Sequence, residues 1–265
     1  VLGMVLDGTG YGLDHTLWGG EFLKANYAGF DRLAYLKPVP LFGGQQAILQ
    51  PWRVAFAHLY ATGNWAQIER DYANLNTIQY LQTKPLATLS AMAERRLNCP
   101  LTSSMGRLFD AVAALLGICS EQVTYEGQAA IELEAYVDMG LFKEIDGYSF
   151  AFTNQQLDPS PMWQALLNDL AAGKTKGFIA TRFHKGLAQS LAKTASELAH
   201  QHGLKTIALS GGVFQNRILL EAVSDGLAPE FTVLMHQRVP ANDGGLALGQ
   251  AAIAAAQLGG EGVCV

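Results

Sequence analysis

The sequence predicts an α/β fold with parallel strands, and a few observations carry that prediction. Near the end of the chain a strand, a Gly-rich turn and a helix follow one another twice. Thr206-Ile207-Ala208-Leu209 runs into Ser210-Gly211-Gly212, and Phe231-Thr232-Val233-Leu234-Met235 is followed by Asp243-Gly244-Gly245. At the start, the apolar run Val1-Leu2-Gly3-Met4-Val5-Leu6 ends abruptly in Asp7-Gly8-Thr9-Gly10-Tyr11-Gly12. Between the two, from about Gly177 to His202, Phe178, Ala180, Phe183, Leu187, Leu191, Ala195 and Leu198 share one face of a long helix. Turns at the C-terminal ends of parallel strands are where such sheets bind ligands.

Taken in order, Thr16–Leu23 reads as a second strand making a hairpin with the first, and Phe30–Leu36 as a third. Pro38 and Pro40 close the sheet region, and Phe42-Gly43-Gly44 is a loop. Trp52, Ala55, Phe56 and Leu59 give one helical period over Gln45 to about Gly63, and residues 65–96 hold two or more further helices. Leu108–Gly117 is a helix with Thr102 or Ser103 as N-cap and Gly117 as its stop. Helices are expected at 127–136 and 162–172, with a small hairpin over 142–152. Gln215 to about Asp225 and Leu246–Ala256 are the helices that follow the two late turns.

The 265 residues suffice for one α/β domain or two small ones, and 49% hydrophobic against 15% charged residues implies much buried surface. A net charge of −5 argues against broad electrostatic binding to nucleic acid. Cys99, Cys119 and Cys264 are widely spaced with no CxxC, which fits a reducing, cytoplasmic setting. No apolar run is long enough to span a bilayer. The chain opens directly in a strand without an initiator Met, so a fragment of a longer polypeptide is expected.

Several stretches carry chemistry. Successive N–H groups over Asp7, Gly8, Thr9 and Gly10 can form an anion-binding nest, with the Thr9 hydroxyl as a further donor and the Asp7 carboxylate for a hydroxyl or a metal-bound water. The alternative is a β-turn in which these residues serve only the backbone. Gly211 and Gly212 open a helix and let a base or phosphate approach the main chain; a tight strand-to-helix turn needs the same glycines. Asn216 either hydrogen-bonds a purine or lies on the surface. Asp110 shares a helical face with Arg107, and Glu132, preceded by Glu126 and Gly127, is a second carboxylate of the kind that reads ribose hydroxyls. Asp243 is a metal ligand or an N-cap. Arg53 and Arg107 are candidates for stabilising developing negative charge, or surface ion-pair residues. The six histidines show no HxxxH or HExxH spacing. Among them His184 reads as a partly buried or capping residue, and neither Cys99 nor Cys119 has a nearby His to activate it.

In their order, Leu6–Gly12, Trp18-Gly19-Gly20-Glu21-Phe22, Gln50-Pro51-Trp52-Arg53, Ser103–Ala111, Tyr125-Glu126-Gly127, Ser210–Arg217 and Asp243-Gly244-Gly245 resemble the C-terminal part of the HypF family, the carbamoyltransferases of [NiFe]-hydrogenase maturation. The resemblance covers essentially the whole chain. It implies an actin-like (ASKHA) nucleotide-binding lobe, a mixed sheet with flanking helices and a helical insertion over about 45–175. It further implies that an upstream domain makes carbamoyl-adenylate from carbamoyl phosphate and ATP, and that this region passes the carbamoyl group to the C-terminal cysteine of a HypE partner. By position, Asp7 to Gly10 would line the phosphates, Asp110, Gly127 and Glu132 would hold the ribose, Gly211, Gly212 and Asn216 would flank the adenine, and Asp243 would bind a divalent metal. The family's HxxxH metal helix lies upstream of this stretch, which therefore corresponds to the second lobe alone. A small-molecule kinase of the same superfold, or a partner-docking fragment without catalysis, remains as an alternative.

Overall fold

The computed structural model describes residues 1–258. Strands β1 (Leu2–Tyr11), β2 (Leu17–Asn26) and β3 (Gly29–Leu36) form an antiparallel meander. In β1, Leu2, Met4 and Leu6 are fully buried, the two-residue period of a strand with one face on the core. The strand does not stop at Asp7. It continues to Tyr11 through a bulge: Leu6 pairs with Gly20 and Gly10 with Trp18, so residues 7–9 face Gly19 alone. The hairpin tip lies beyond, at residues 12–16.

Pro38 and Pro40 do not end the sheet. A short β4 (Val39–Pro40) pairs with β5 (Leu101–Thr102), which also pairs with β2. The single helix expected from Gln45 is two, α1 (Gln45–Leu49) and α2 (Pro51–Ala61). The ring of Pro51 forces Gln50 out of the helical region, to φ −122° and ψ 84°, and then starts α2 at its first position. Next come α3 (Trp65–Asp71), α4 (Asn76–Gln82), α5 (Leu86–Glu94) and α6 (Met105–Leu115). Residues 101–102 belong to β5, so the N-cap of α6 is Ser104, whose hydroxyl accepts the Arg107 N–H at 3.1 Å. Gly117, at φ +70°, stops the helix as expected.

Helices α7 (Gln128–Glu134) and α8 (Met139–Glu144) follow, then β6 (Ala151–Thr153) and β7 (Gln156–Asp158). The hairpin anticipated over 142–152 is thus displaced. Asp138 caps α8 by accepting the Gly140 and Leu141 N–H groups, and Asn154-Gln155, both at positive φ, make the two-residue turn. After α9 (Ser160–Ala171) and α10 (Lys176–Gln201) come β8 (Thr206–Ser210), α11 (Arg217–Leu227), β9 (Thr232–Met235) and α12 (Leu246–Leu258). A 3-10 turn over Gly212–Gln215 separates β8 from α11.

The sheet order is β6-β7-β3-β2-β1-β8-β9, with β8 parallel to β1 and β9 parallel to β8. The stretch 45–175 is mostly helical, yet β5 and β7 within it join this sheet and every residue of α6 is buried against the core. Helix α10 buries Ala180, Phe183, Leu187, Leu191 and Ala195 completely, as expected, while Phe178 is half-buried and Ile179, outside the expected face, is also fully buried. Among the described residues no helix is long and apolar enough to cross a membrane. Cys264 lies outside the described residues.

Candidate functional site

The β1 bulge, the start of α6, the turn after β8 and the turn before α12 converge on one cleft. A cavity of about 440 Å³ is lined by Asp7, Gly8, Arg107, Phe109, Asp110, Gly127, Gly212, Asn216 and Asp243. It continues past Thr9, Ile48, Leu49 and Thr124 into a second space of about 420 Å³. Each is of the size that takes a small molecule or cofactor.

The bulge touches α6 directly. The Ser104 hydroxyl donates to the Asp7 and Gly8 carbonyl oxygens, at 3.0 and 2.6 Å. A Cβ on Gly106 would lie 2.9 Å from the Gly8 Cα, so glycine is what lets the helix start meet the strand. The Asp7 carboxylate accepts from the Gly8 N–H at 2.7 Å. Across the cleft, Gly211 sits at φ +102°, and a Cβ there would be 2.1 Å from the Leu6 carbonyl oxygen. That close approach of β8 to β1 brings Gly212 next to the Asp7 carboxylate.

Arg107 and Asp110 are 6% and 4% exposed and form an ion pair at 3.1 Å. Burial pushes the Asp110 carboxyl up to about 6, against the opposing pull of Arg107. Nε and Nη1 of Arg107 are buried with no hydrogen-bond partner among the described residues, a cost of roughly 1–3 kcal/mol per group in the absence of a partner. Removing either member of such a buried pair costs about 3–5 kcal/mol by stranding the other charge.

Asn216 is neither a surface residue nor an uncommitted amide. Its Oδ1 accepts the Leu219 N–H at 2.8 Å as the N-cap of α11, and its Nδ2 donates to His184 Nε2 at 3.0 Å. His184 is completely buried rather than partly so. Its Nδ1 donates to the Ala180 carbonyl at 2.8 Å, which assigns the tautomer, and burial lowers its pKa to about 4, so the ring is neutral. Phe109 packs edge-on against both His184 and Phe183.

The remaining sequence candidates sort by position. Gly127, at φ +74°, forms the far wall of the cleft. Gly10 is in the β1–β2 ladder opposite Trp18 and Gly211 lies behind Gly212; neither lines the cleft. Glu132 is not among the residues lining the cleft: it accepts from Gln128 Nε2 at 2.9 Å and sits beside the Cys119 thiol, whose pKa is pushed up to about 11 by burial, by that carboxylate and by Asp110. Arg53 is outside too, donating to Gln50 Oε1 at 2.6 Å and lying over the Trp52 ring. Asp243 is exposed at the rim and opens a 3-10 turn (Asp243–Gly245) that leads into α12 and is capped by Asn242, which accepts the Gly244 N–H at 3.1 Å. Among the described residues no three His, Cys, Asp or Glu side chains converge to hold a metal ion, so the chain offers single carboxylates at Asp7 and Asp243 rather than a ligand set. Ser104, Gln215 and Asn242 were missed in the sequence; the Ser-x-x-Arg spacing before α6 was the available signal for the first.

A mixed sheet with a bulged first strand, a second strand-turn-helix beside it and a cleft between them defines the actin-like, Kae1-like class of α/β fold. A family model described as carbamoyltransferase, Kae1-like domain, second subdomain, matches residues 3–250. The chain belongs to this family. It is 42% identical over 256 residues to a carbamoyltransferase HypF from Rhodobacter capsulatus, covering 96% of this chain and 32% of that protein. A HypF homologue from Cupriavidus necator is 40% identical over 266 residues, 97% of this chain and 66% of its own length. A crystal structure of full-length HypF in the phosphate- and nucleotide-bound form superposes with a TM-score of 0.88 at 34% identity, over 98% of this chain and 34% of that one. The T. kodakarensis HypF structure gives 0.85 at 28% identity, with the same coverage. The chain therefore spans about a third of the length of most of these relatives.

Proposed function

We propose that this chain is the nucleotide-holding lobe of a HypF-type carbamoyltransferase. The observation that carries the reading is the buried Arg107–Asp110 ion pair lining a cleft floored by the Gly8 bulge and faced by Gly212. Its ligand is ATP or carbamoyl-adenylate, the latter made from carbamoyl phosphate and ATP by another part of the longer protein. The phosphates lie along Asp7, Gly8 and Thr9, the ribose hydroxyls donate to Asp110, and the base lies along Gly212 and the Asn216 end of the cleft.

The acceptor is the C-terminal cysteine of a HypE-like partner, in the maturation of [NiFe]-hydrogenase in the cytoplasm. Its thiolate attacks the carbamoyl carbon, a C–S bond forms, the bond from that carbon to the adenylate oxygen breaks, and AMP leaves with the electron pair. Arg107 supplies positive charge to the departing phosphate, and the walls orient the acyl carbon. A divalent metal would take Asp243 as one ligand and shield the phosphates, with the other ligands from outside this chain.

Calorimetric titration of ATP into the intact protein tests the assignment. Binding that Asp110→Ala and Gly212→Val each weaken at least tenfold supports it, and binding untouched by both overturns it. The isolated chain is expected to show no carbamoyl turnover, and turnover by it alone would contradict the division of labour.

A further inference from the structure

Beneath the β1 bulge, outside the cleft lining, lies a buried carboxylate that none of the chemistry above uses. Glu21 is 2% exposed, in the middle of β2. Its Oε2 accepts the Gly19 and Gly20 N–H groups, both at 2.6 Å. Its Oε1 accepts the Ser103 hydroxyl and Arg32 Nη2, at 2.5 and 2.8 Å. Three of the four contacts fall on residues packed directly against the bulge or the start of α6. Gly19 faces the β1 bulge so closely that a Cβ on it would lie 2.5 Å from the Asp7 carbonyl oxygen and 3.1 Å from the Ser104 Cα. A Cβ on Gly20 would lie 2.4 Å from the Ser103 carbonyl oxygen. Ser103 precedes the Ser104 cap, which holds both the bulge and the first turn of the helix carrying Arg107 and Asp110.

Arg32 extends the arrangement outward. Its guanidinium is sandwiched between Trp18 and Tyr35, 4.1 and 3.9 Å from the ring centroids, and also pairs with Asp14 at 3.0 Å. Asp14 in turn holds the hairpin tip through Thr16 and Trp18 Nε1.

We infer that Glu21 is a positioning residue: it clamps Gly19-Gly20 to Ser103, and so fixes the spacing between the Asp7–Gly8 bulge and the Arg107–Asp110 helix. The inference rests on the reading of the cleft as a nucleotide site. A carboxylate suits the task because all four lone-pair directions are taken by donors, which no neutral isostere of the same length can match. In Glu21→Gln one oxygen becomes an NH₂ group. If it faces Arg32, donor meets donor; if it faces Gly19 and Gly20, both N–H groups lose their acceptor. Either way the backbone moves under the bulge.

The experiment titrates ATP into the intact protein and its E21Q, S103A and D110A variants, at a temperature where circular dichroism shows each folded. E21Q is expected to bind ATP at least tenfold more weakly and S103A about threefold more weakly, since it loses one of the four contacts. Lowered heat stability of E21Q with unchanged affinity is the mark of a merely structural role and overturns the inference. Where E21Q does not fold, S103A decides, and affinity equal to wild type overturns it. Unchanged affinity in D110A overturns the nucleotide reading itself and the inference with it, whereas loss in D110A without loss in E21Q overturns only the role of Glu21.

Discussion

The two walls of the cleft are built differently. On one side stands α6, with every residue buried, a side-chain N-cap, and a carboxylate and guanidinium held inside the core. On the other, the segment from Asp243 through α12 contains no buried residue, and Leu246, Leu248 and Ile253 are 54%, 59% and 45% exposed. Both are apolar helices, and the turn that leads into the second lines the same cleft as the first. The difference is one of packing: α6 is enclosed by this chain, whereas among the described residues α12 leaves its apolar side chains exposed.

That contrast breaks first if the buried wall proves soft. Phe109→Ala removes a ring packed on Phe183 and His184 and should cost about 3–5 kcal/mol in urea unfolding. A cost under about 1 kcal/mol, the range of surface sites, would deny α6 its place in the core. Gly211→Ala comes next. It forces a side chain into a positive-φ position against the Leu6 carbonyl, and a loss of about 2–3 kcal/mol is expected from strain of that kind, with nucleotide affinity falling alongside.

Asp110 sharpens the comparison through pH. Its folded pKa of about 6 lies above the ordinary carboxylate value, so between about 4 and about 6 the folded chain holds more protons than the unfolded one. This group's contribution to stability therefore falls as pH rises through that window. Binding runs the opposite way, because only the ionised carboxylate accepts from both ribose hydroxyls. Adenosine, which has no phosphate to titrate, should bind more tightly as pH rises from 5 to 7.5, by about tenfold for one strong charged hydrogen bond, and Asp110→Asn should flatten the profile. The smallest effect is expected on the open wall. Ile253→Lys should change the stability of this chain by less than about 0.5 kcal/mol, as at ordinary surface positions. A loss above about 1 kcal/mol in urea unfolding would place Ile253 in a packed environment and erase the contrast with α6.

How much of this was legible in the sequence follows the same division. The Gly-rich stretches at 7–12, 127 and 211–212 were visible as motifs; a left-handed φ explains Gly127, and close backbone approach explains Gly211. Helix α10 was visible because a 3.6-residue period over many turns has no rival reading. What stayed hidden was three-dimensional commitment. Asn216 reads as a free amide until its Nδ2 is found on His184, and Glu132 reads as a ribose ligand until its carboxylate is found beside Cys119. Gln50-Pro51 could have been read, since a proline moves its predecessor out of the helix, whereas the bulge at 7–9 depends on a register with β2 that no local pattern specifies.

That one cleft of this chain holds the nucleotide is tested most directly by a crystal structure of the intact protein with a non-hydrolysable ATP analogue. The phosphates are expected along Gly8, the ribose hydroxyls on the Asp110 carboxylate and the base beside Gly212. A nucleotide bound only elsewhere, with Asp110 and Arg107 touching nothing but each other, would contradict it.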